Sequence, residues 1–394
     1  MRNISDQGRL RPWMGFTLFA VLMVFFILVC VPLQMRSAIP GLIITELSFA
    51  AIAVLYCFIR KVKIKEVFPV RKPSAKDIFG CLLLLAGGFC ISMISVSLTA
   101  AIFPGSASEA SDLSSMIYGK MGYIPTVLVI ALMPAVCEEA IHRGAILSNF
   151  RSIKKDWIIV LIMAALFGLN HCSVLRFAAT ASLGAILSYV VVKKDNILLS
   201  MMMHFTNNLV SATAGYFAAK NPGLVESSAQ SLSSYLGVYL LLGFAAPLFI
   251  ALGMMLLDPK KDNKRRFAVA GILTGIMLIS GIGLTLAGPG SRVLLNSTIS
   301  YRITEDTMDS QMLDFNVEED TNATVAVILT NAEGDYRIRI DGDKGSNIIN
   351  APVPHDGIRM FTYNVGLAQD HYTVTLVAEE NAIGEQPQIS VTVR

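Results

Sequence analysis

Charge is scarce in this chain. Of 394 residues only 15% are Asp, Glu, Lys or Arg, 54% are hydrophobic, and the mean hydropathy is +0.58. A soluble globular domain carries about 25% charged residues, so a water-soluble fold is excluded for most of the length. A net charge of +3 with no sustained basic stripe gives no purchase on nucleic acid. Cysteine is absent beyond Cys172, so disulfides do not hold the C-terminal part together. Asp is missing from the interior of every apolar run: Asp6, Asp77, Asp112, Asp156, Asp195, Asp258 and Asp262 fall in connections or at run edges. A two-aspartate intramembrane mechanism therefore has no residues to use. The helical zinc motif HExxH and the G-x-S-x-G nucleophile elbow are also absent, as are internal repeats and low-complexity tracts.

What the chain has instead is apolar length. Runs near 13–33, 41–59, 78–103, 122–150, 157–172, 174–192, 196–217, 235–257 and 267–288 approach or reach the roughly 17–25 residues that cross a bilayer. They predict a polytopic α-helical membrane protein with about nine transmembrane helices. The first run follows Arg9 and Arg11 but exceeds the usual signal-peptide core of about 7–15 residues, so it reads as a retained helix. Lys and Arg crowd alternate connections, at 60–76, 151–155, 193–194 and 260–266. The positive-inside rule puts those loops and the N-terminus in the cytoplasm, and nine spans then send the C-terminus outside.

From about 291 the composition inverts. Residues 291–394 hold 7 Lys and Arg against 16 Asp and Glu, net −9, while the rest holds 25 against 13. Period-two segments such as "ATVAVILT", "DYRIRI", "HYTVTLVAE" and "QISVTVR", separated by Gly, Asp, Asn and Pro, predict strands. The expected domains are a membrane body, 1–290, and an acidic, extracytoplasmic all-β sandwich, 291–394. A cysteine-free outer domain points to a bacterial cell membrane.

The body carries one conspicuous anomaly, "AVCEEAIHRGAIL", in which Glu138 and Glu139 adjoin inside an apolar run. A carboxylate in hydrocarbon costs about 2.5 kcal/mol or more, so each needs a partner or a task. Glu139 and Arg143 are four apart with the acid N-terminal, the better orientation for a helical ion pair. Glu138 points about 100° away and is left for chemistry. His171, four after Phe167, and His204, four before Asn208, lie on two further runs. Counted from the basic ends at 1.5 Å per residue, Glu138, His171, His204 and Asn208 lie about 18, 21, 12 and 18 Å deep, close enough to meet. Such a set suits peptide hydrolysis without a covalent intermediate. Glu138 takes a proton from water, His171 orients it, and His204 and Asn208 donate to the oxyanion.

Glu138-Glu139-x-x-x-Arg143, Phe167-x-x-x-His171 and His204-x-x-x-Asn208, in that order, resemble the three motifs of the CAAX protease and bacteriocin-processing (CPBP, or ABI) family of Rce1-type intramembrane endopeptidases. The resemblance spans about 124–213. It implies the same duties for Glu138, His171, His204 and Asn208, with Glu139, Arg143 and Phe167 in support. It also implies a membrane-associated peptide or protein as substrate, bacteriocin-related precursors among the choices. An aromatic residue often precedes the motif Arg, where this chain has His142.

Other readings accompany these. A His₂Glu zinc site from Glu138, His171 and His204 is the metallopeptidase alternative; the metal-free scheme is favoured because it gives Asn208 a task. No other cofactor is expected. The histidines and Asn207 or Asn208 could be interhelical glue. Cys137 and Cys172 read as packing residues rather than nucleophiles, and His142 as a packing residue at the basic end. Glu46 and Arg176 read as interfacial, and His355 and His371 as surface residues. A non-enzymatic immunity factor, scaffold or transporter-like module would use the same polar core for binding. The outer domain would recruit substrate or a partner, or act as a spacer.

Overall fold

The computed structural model describes residues 10–103, 120–220, 236–259, 263–287, 294–345, 347–353 and 359–393. Asp6, Arg9, Asp112, Lys260, Lys261, Asp262 and His355 lie outside them. The chain divides into two compact units, Met1–Thr285 and Leu286–Arg394.

The first unit is a helical bundle of α1 (Pro12–Arg36), α2 (Ala38–Arg60), α3 (Ala75–Ile102), α4 (Tyr123–Ile146), α5 (Asp156–Asn170), α6 (Val174–Lys194), α7 (Ile197–Lys220), α8 (Leu236–Leu242), α9 (Ala246–Leu257) and α10 (Asn263–Ala287). Six helices among the described residues are long and apolar enough to cross a membrane, seven if the pair α8 and α9, bent by 40°, forms one span. The sequence suggested about nine. The difference lies in α5, which has only 15 residues, and in α7, whose apolar run is interrupted by His204, Asn207 and Asn208. Large apolar side chains such as Trp13, Leu28 and Ile279 are exposed around the bundle, as lipid-facing surfaces require.

Local chemistry explains several boundaries. Ser74 and Asp77 form a capping box that starts α3, with Asp77 N donating to Ser74 Oγ at 3.1 Å. Lys61 and Asp195 end α2 and α6 in left-handed conformations. In α1 and α4 a wider π-helical stretch, Phe26–Cys30 and Val127–Leu132, comes just before Pro32 and Pro134. Proline cannot donate to the carbonyl four residues back, and the ladder loosens there.

Ion pairs tie the basic connections into one end of the bundle. Asp195 accepts from Arg71 and from Arg151, each at 2.6 Å. Lys193 meets Asp156 at 2.6 Å and Asp258 at 3.1 Å, and Lys194 meets Asp77 at 2.5 Å.

The second unit is two antiparallel four-stranded sheets around one core. One has the order β1 (Leu295–Ser300), β8 (Gln388–Val393), β3 (Thr321–Thr330), β6 (Arg359–Leu367); the other runs β2 (Asp309–Val317), β7 (Asp370–Ala378), β4 (Tyr336–Gly342), β5 (Asn347–Pro352). Alternation fixes the faces: Tyr336, Ile338 and Ile340 are buried from one sheet, Val325, Val327 and Leu329 from the other.

Candidate active site

The site is built where α4, α5, α6 and α7 meet α1 and α2. Glu138 and Glu139 close the α-helical part of α4, and a second π-helical stretch, Ala140–Ile146, carries His142 and Arg143. Wider turns of this kind recur at functional sites. α5 ends at Asn170, and its last turn closes with His171 N donating to Gly168 O at 3.2 Å. Ser173 caps α6 through Arg176 N at 3.1 Å, so the chain reverses immediately after His171.

Glu139 and Arg143 are both fully buried and pair at 2.7 Å, as their spacing predicts. The same carboxylate oxygen, Glu139 Oε1, also lies 2.9 Å from His204 Nδ1. A carboxylate paired with a guanidinium accepts, so Nδ1 holds the proton and donates. Glu139 thus does more than neutralise Arg143: it sets the tautomer and orientation of the histidine on α7. His204 Nε2 is then presented toward Glu138 Oε2, 3.9 Å away.

His171 is fixed in a similar way. Its Nδ1 donates to the Phe167 carbonyl at 2.9 Å, leaving Nε2 as an acceptor. Phe167, fully buried, is the hub: the rings of His142, His171 and His204 lie at centroid distances of 5.1, 5.0 and 5.7 Å, and the Arg143 guanidinium sits 4.2 Å over its face. A methyl on Gly184 would come within 2.9 Å of Phe167 Cβ, so only glycine lets α6 approach this closely. The Gly184 carbonyl accepts from Arg143 Nη2 at 3.2 Å.

A cavity of about 430 Å³ opens over this arrangement and is lined by Glu138, Phe167, His171, His204 and Asn208 together. Asn207 also lines it and donates through Nδ2 to Asn208 Oδ1 at 3.2 Å, which turns the Asn208 amide nitrogen toward other acceptors. Glu138 Oε2 is buried without a hydrogen-bond partner.

Three residues that the sequence set aside lie at or beside the site. Glu46 and Arg176, read as interfacial, both line the cavity. Glu46 is only 5% exposed, and its Oε2, like Glu138 Oε2 and Glu139 Oε2, is buried without a hydrogen-bond partner. Its signal was available: it is the only acidic residue in the run 41–59. His142 is fully buried behind the site, its Nδ1 donating to the Glu138 carbonyl at 3.0 Å. Gln34 and Thr45 were not singled out at all, and they complete the wall beside Glu46, joined by a 2.9 Å bond.

Cys137 is buried and Cys172 is exposed beside His171. His371 lies in the second unit, with Nε2 3.2 Å from Asp314. Among the described residues no three His, Cys, Asp or Glu side chains are grouped to hold a metal ion such as zinc. Glu138, His171 and His204 as they stand do not form a ligand set.

Residues 120–210 match the family model described as "Type II CAAX prenyl endopeptidase Rce1-like". The match covers all three motifs and bears out the resemblance to the CPBP, Rce1-type intramembrane proteases. No curated protein and no solved structure matches the chain.

Proposed function

Taking residues 120–210 as an Rce1-like segment, we propose that the protein is an intramembrane endopeptidase that hydrolyses a peptide bond in a membrane-associated peptide or protein by means of a glutamate-activated water. One observation carries this reading: Glu138 from α4, His171 just past the end of α5, and His204 and Asn208 from α7 line a single cavity.

The proton bookkeeping is self-consistent. Glu138 takes a proton from a water whose other hydrogen is held by His171 Nε2, and the hydroxide oxygen bonds to the scissile carbonyl carbon. The carbonyl oxygen becomes an oxyanion, stabilised by the Asn208 amide and by His204 Nε2. For His204 to donate there its ring carries both protons, the Nδ1 proton being committed to Glu139. The C–N bond then breaks, and the proton held by Glu138 passes to the departing amine. Arg143, Glu139 and Phe167 touch no reacting atom; they fix the histidines.

The same reading keeps nine crossings, with α5 and α7 supported by their neighbours, a cytoplasmic N-terminus and an extracytoplasmic C-terminal unit. The experiment is cleavage of a membrane-peptide library by purified protein, wild type beside Glu138→Gln and His171→Ala, with and without a chelator. Rates should fall at least about 100-fold in each variant, the usual weight of a general base, and be unaffected by chelator. Loss on chelation restored by zinc would replace the mechanism with a metallopeptidase one. No cleavage by folded wild type would favour a binding role.

A further inference from the structure

The cavity is not centred in the bundle. Measured from the ends that carry the basic connections, at 1.5 Å per residue, its lining starts about 10 Å deep at His204. It passes Glu46 at about 21 Å and reaches about 27 Å at Leu42 and Arg176 and about 33 Å at Gln34. A hydrocarbon core is about 30 Å thick, so the lining runs from the inner third to the opposite surface.

Toward the basic end the bundle is closed. Ile146, Leu147 and Phe150 are fully buried there, the Phe16 ring meets Phe150 edge-on at 5.1 Å, and the Tyr56 hydroxyl donates to Asn149 Oδ1 at 2.8 Å. The ion pairs of Asp195, Asp156, Asp258 and Asp77 seal the loops beneath. From the level of Glu46 outward the lining is polar, with Thr45, Thr180 and Ser211 at about 21–22 Å and Arg176 and Gln34 farther out. The closed end bears the lysines and arginines, and positive loops stay in the cytoplasm.

We propose that the site is loaded from the extracytoplasmic side, and that its substrates are membrane-anchored or exported peptides whose scissile bond lies in the outer leaflet or just beyond it. The chemistry rests on the proteolytic reading above; the direction of access does not. Water for the hydrolysis would enter by the same polar mouth.

The chain supplies its own reporter. Cys172 follows His171 and is exposed, whereas Cys30, Cys57, Cys81 and Cys137 are buried and Cys90 is half-buried. The full chain is treated with a membrane-impermeant sulfonated maleimide in intact cells and in inverted vesicles. Expected is labelling in intact cells that drops at least about 10-fold in Cys172→Ser, while Lys154→Cys in that background, at an exposed site of the basic end, reacts only in inverted vesicles. The reverse pattern overturns the proposal. If Cys172 reacts from neither side, Arg36→Cys, exposed at the last residue of α1, decides the side by the same criterion.

A second arm uses two single-span reporters carrying one peptide-library cassette, either outside or inside. Cleavage of the outer cassette alone, lost in Glu138→Gln, is the expected result; cleavage of the inner cassette alone overturns the proposal. Labelling from outside with neither cassette cut leaves the direction of access standing and removes the proteolytic reading.

Discussion

Two adjacent glutamates on one helix receive different work because of what surrounds them. Glu139 is wholly buried, its Oε1 shared by Arg143 and His204, whereas Glu138 lines the cavity and pairs with no guanidinium. Removing one member of a buried ion pair costs about 3–5 kcal/mol because the other charge is stranded. Glu139→Gln should therefore lower the melting temperature in detergent markedly, while Glu138→Gln, which leaves that pair intact, should melt close to wild type and yet lose cleavage. Equal melting of the two variants would show that Glu139 does not hold the fold. The i,i+4 spacing made the Glu139–Arg143 pair legible in the sequence, but not the third partner, His204, which lies 65 residues on. Glu46 was misread for a related reason. Its depth depends on where α2 begins, and run edges are the least certain part of a hydropathy profile.

Helix termini carry the next level of organisation. Asp195 sits outside the membrane-spanning segments, between α6 and α7, where it joins the connection before α3 to the one after α4. Burial pushes its carboxyl up, but the hydrogen bond and charge of Arg151, with the charge of Arg71, outweigh this and hold it below its ordinary value of 3.8. A depressed folded-state value means that the stabilisation is present above the unfolded value and is lost as pH falls through the folded one. Asp195→Asn should lower the melting temperature at pH 7, and its difference from wild type should shrink only below about pH 4; a constant difference down to pH 3 would contradict the linkage. The sequence showed that these loops were basic, but not which acid bound which base, because those partners are distant in the chain. Among the strands, β3, β4, β7 and β8 announced themselves by alternation. β2 did not, since its register shifts between Gln311 and Leu313 and breaks the period of two. β5 has only six residues and ends in proline.

At the scale of the whole chain, the composition shifts near 291 and the chain divides into two compact units at Thr285/Leu286. The two units also draw on separate cores. The sandwich cluster contains only residues from Ile303 onward, whereas the bundle clusters end at Leu257. Every residue of the candidate site and every ion pair closing the basic end belongs to the bundle. Since each unit has a buried core of its own, a chain ending at residue 290 should insert, purify and melt like the bundle of the full chain. It should keep Glu138-dependent cleavage of short library peptides, to within about threefold if the sandwich does not contribute to transition-state binding, since a factor of three is only about 0.7 kcal/mol. A truncated chain that fails to fold would show that the bundle depends on the sandwich. One that folds and cuts short peptides, but no longer cuts anchored proteins, would assign the acidic sandwich to substrate capture.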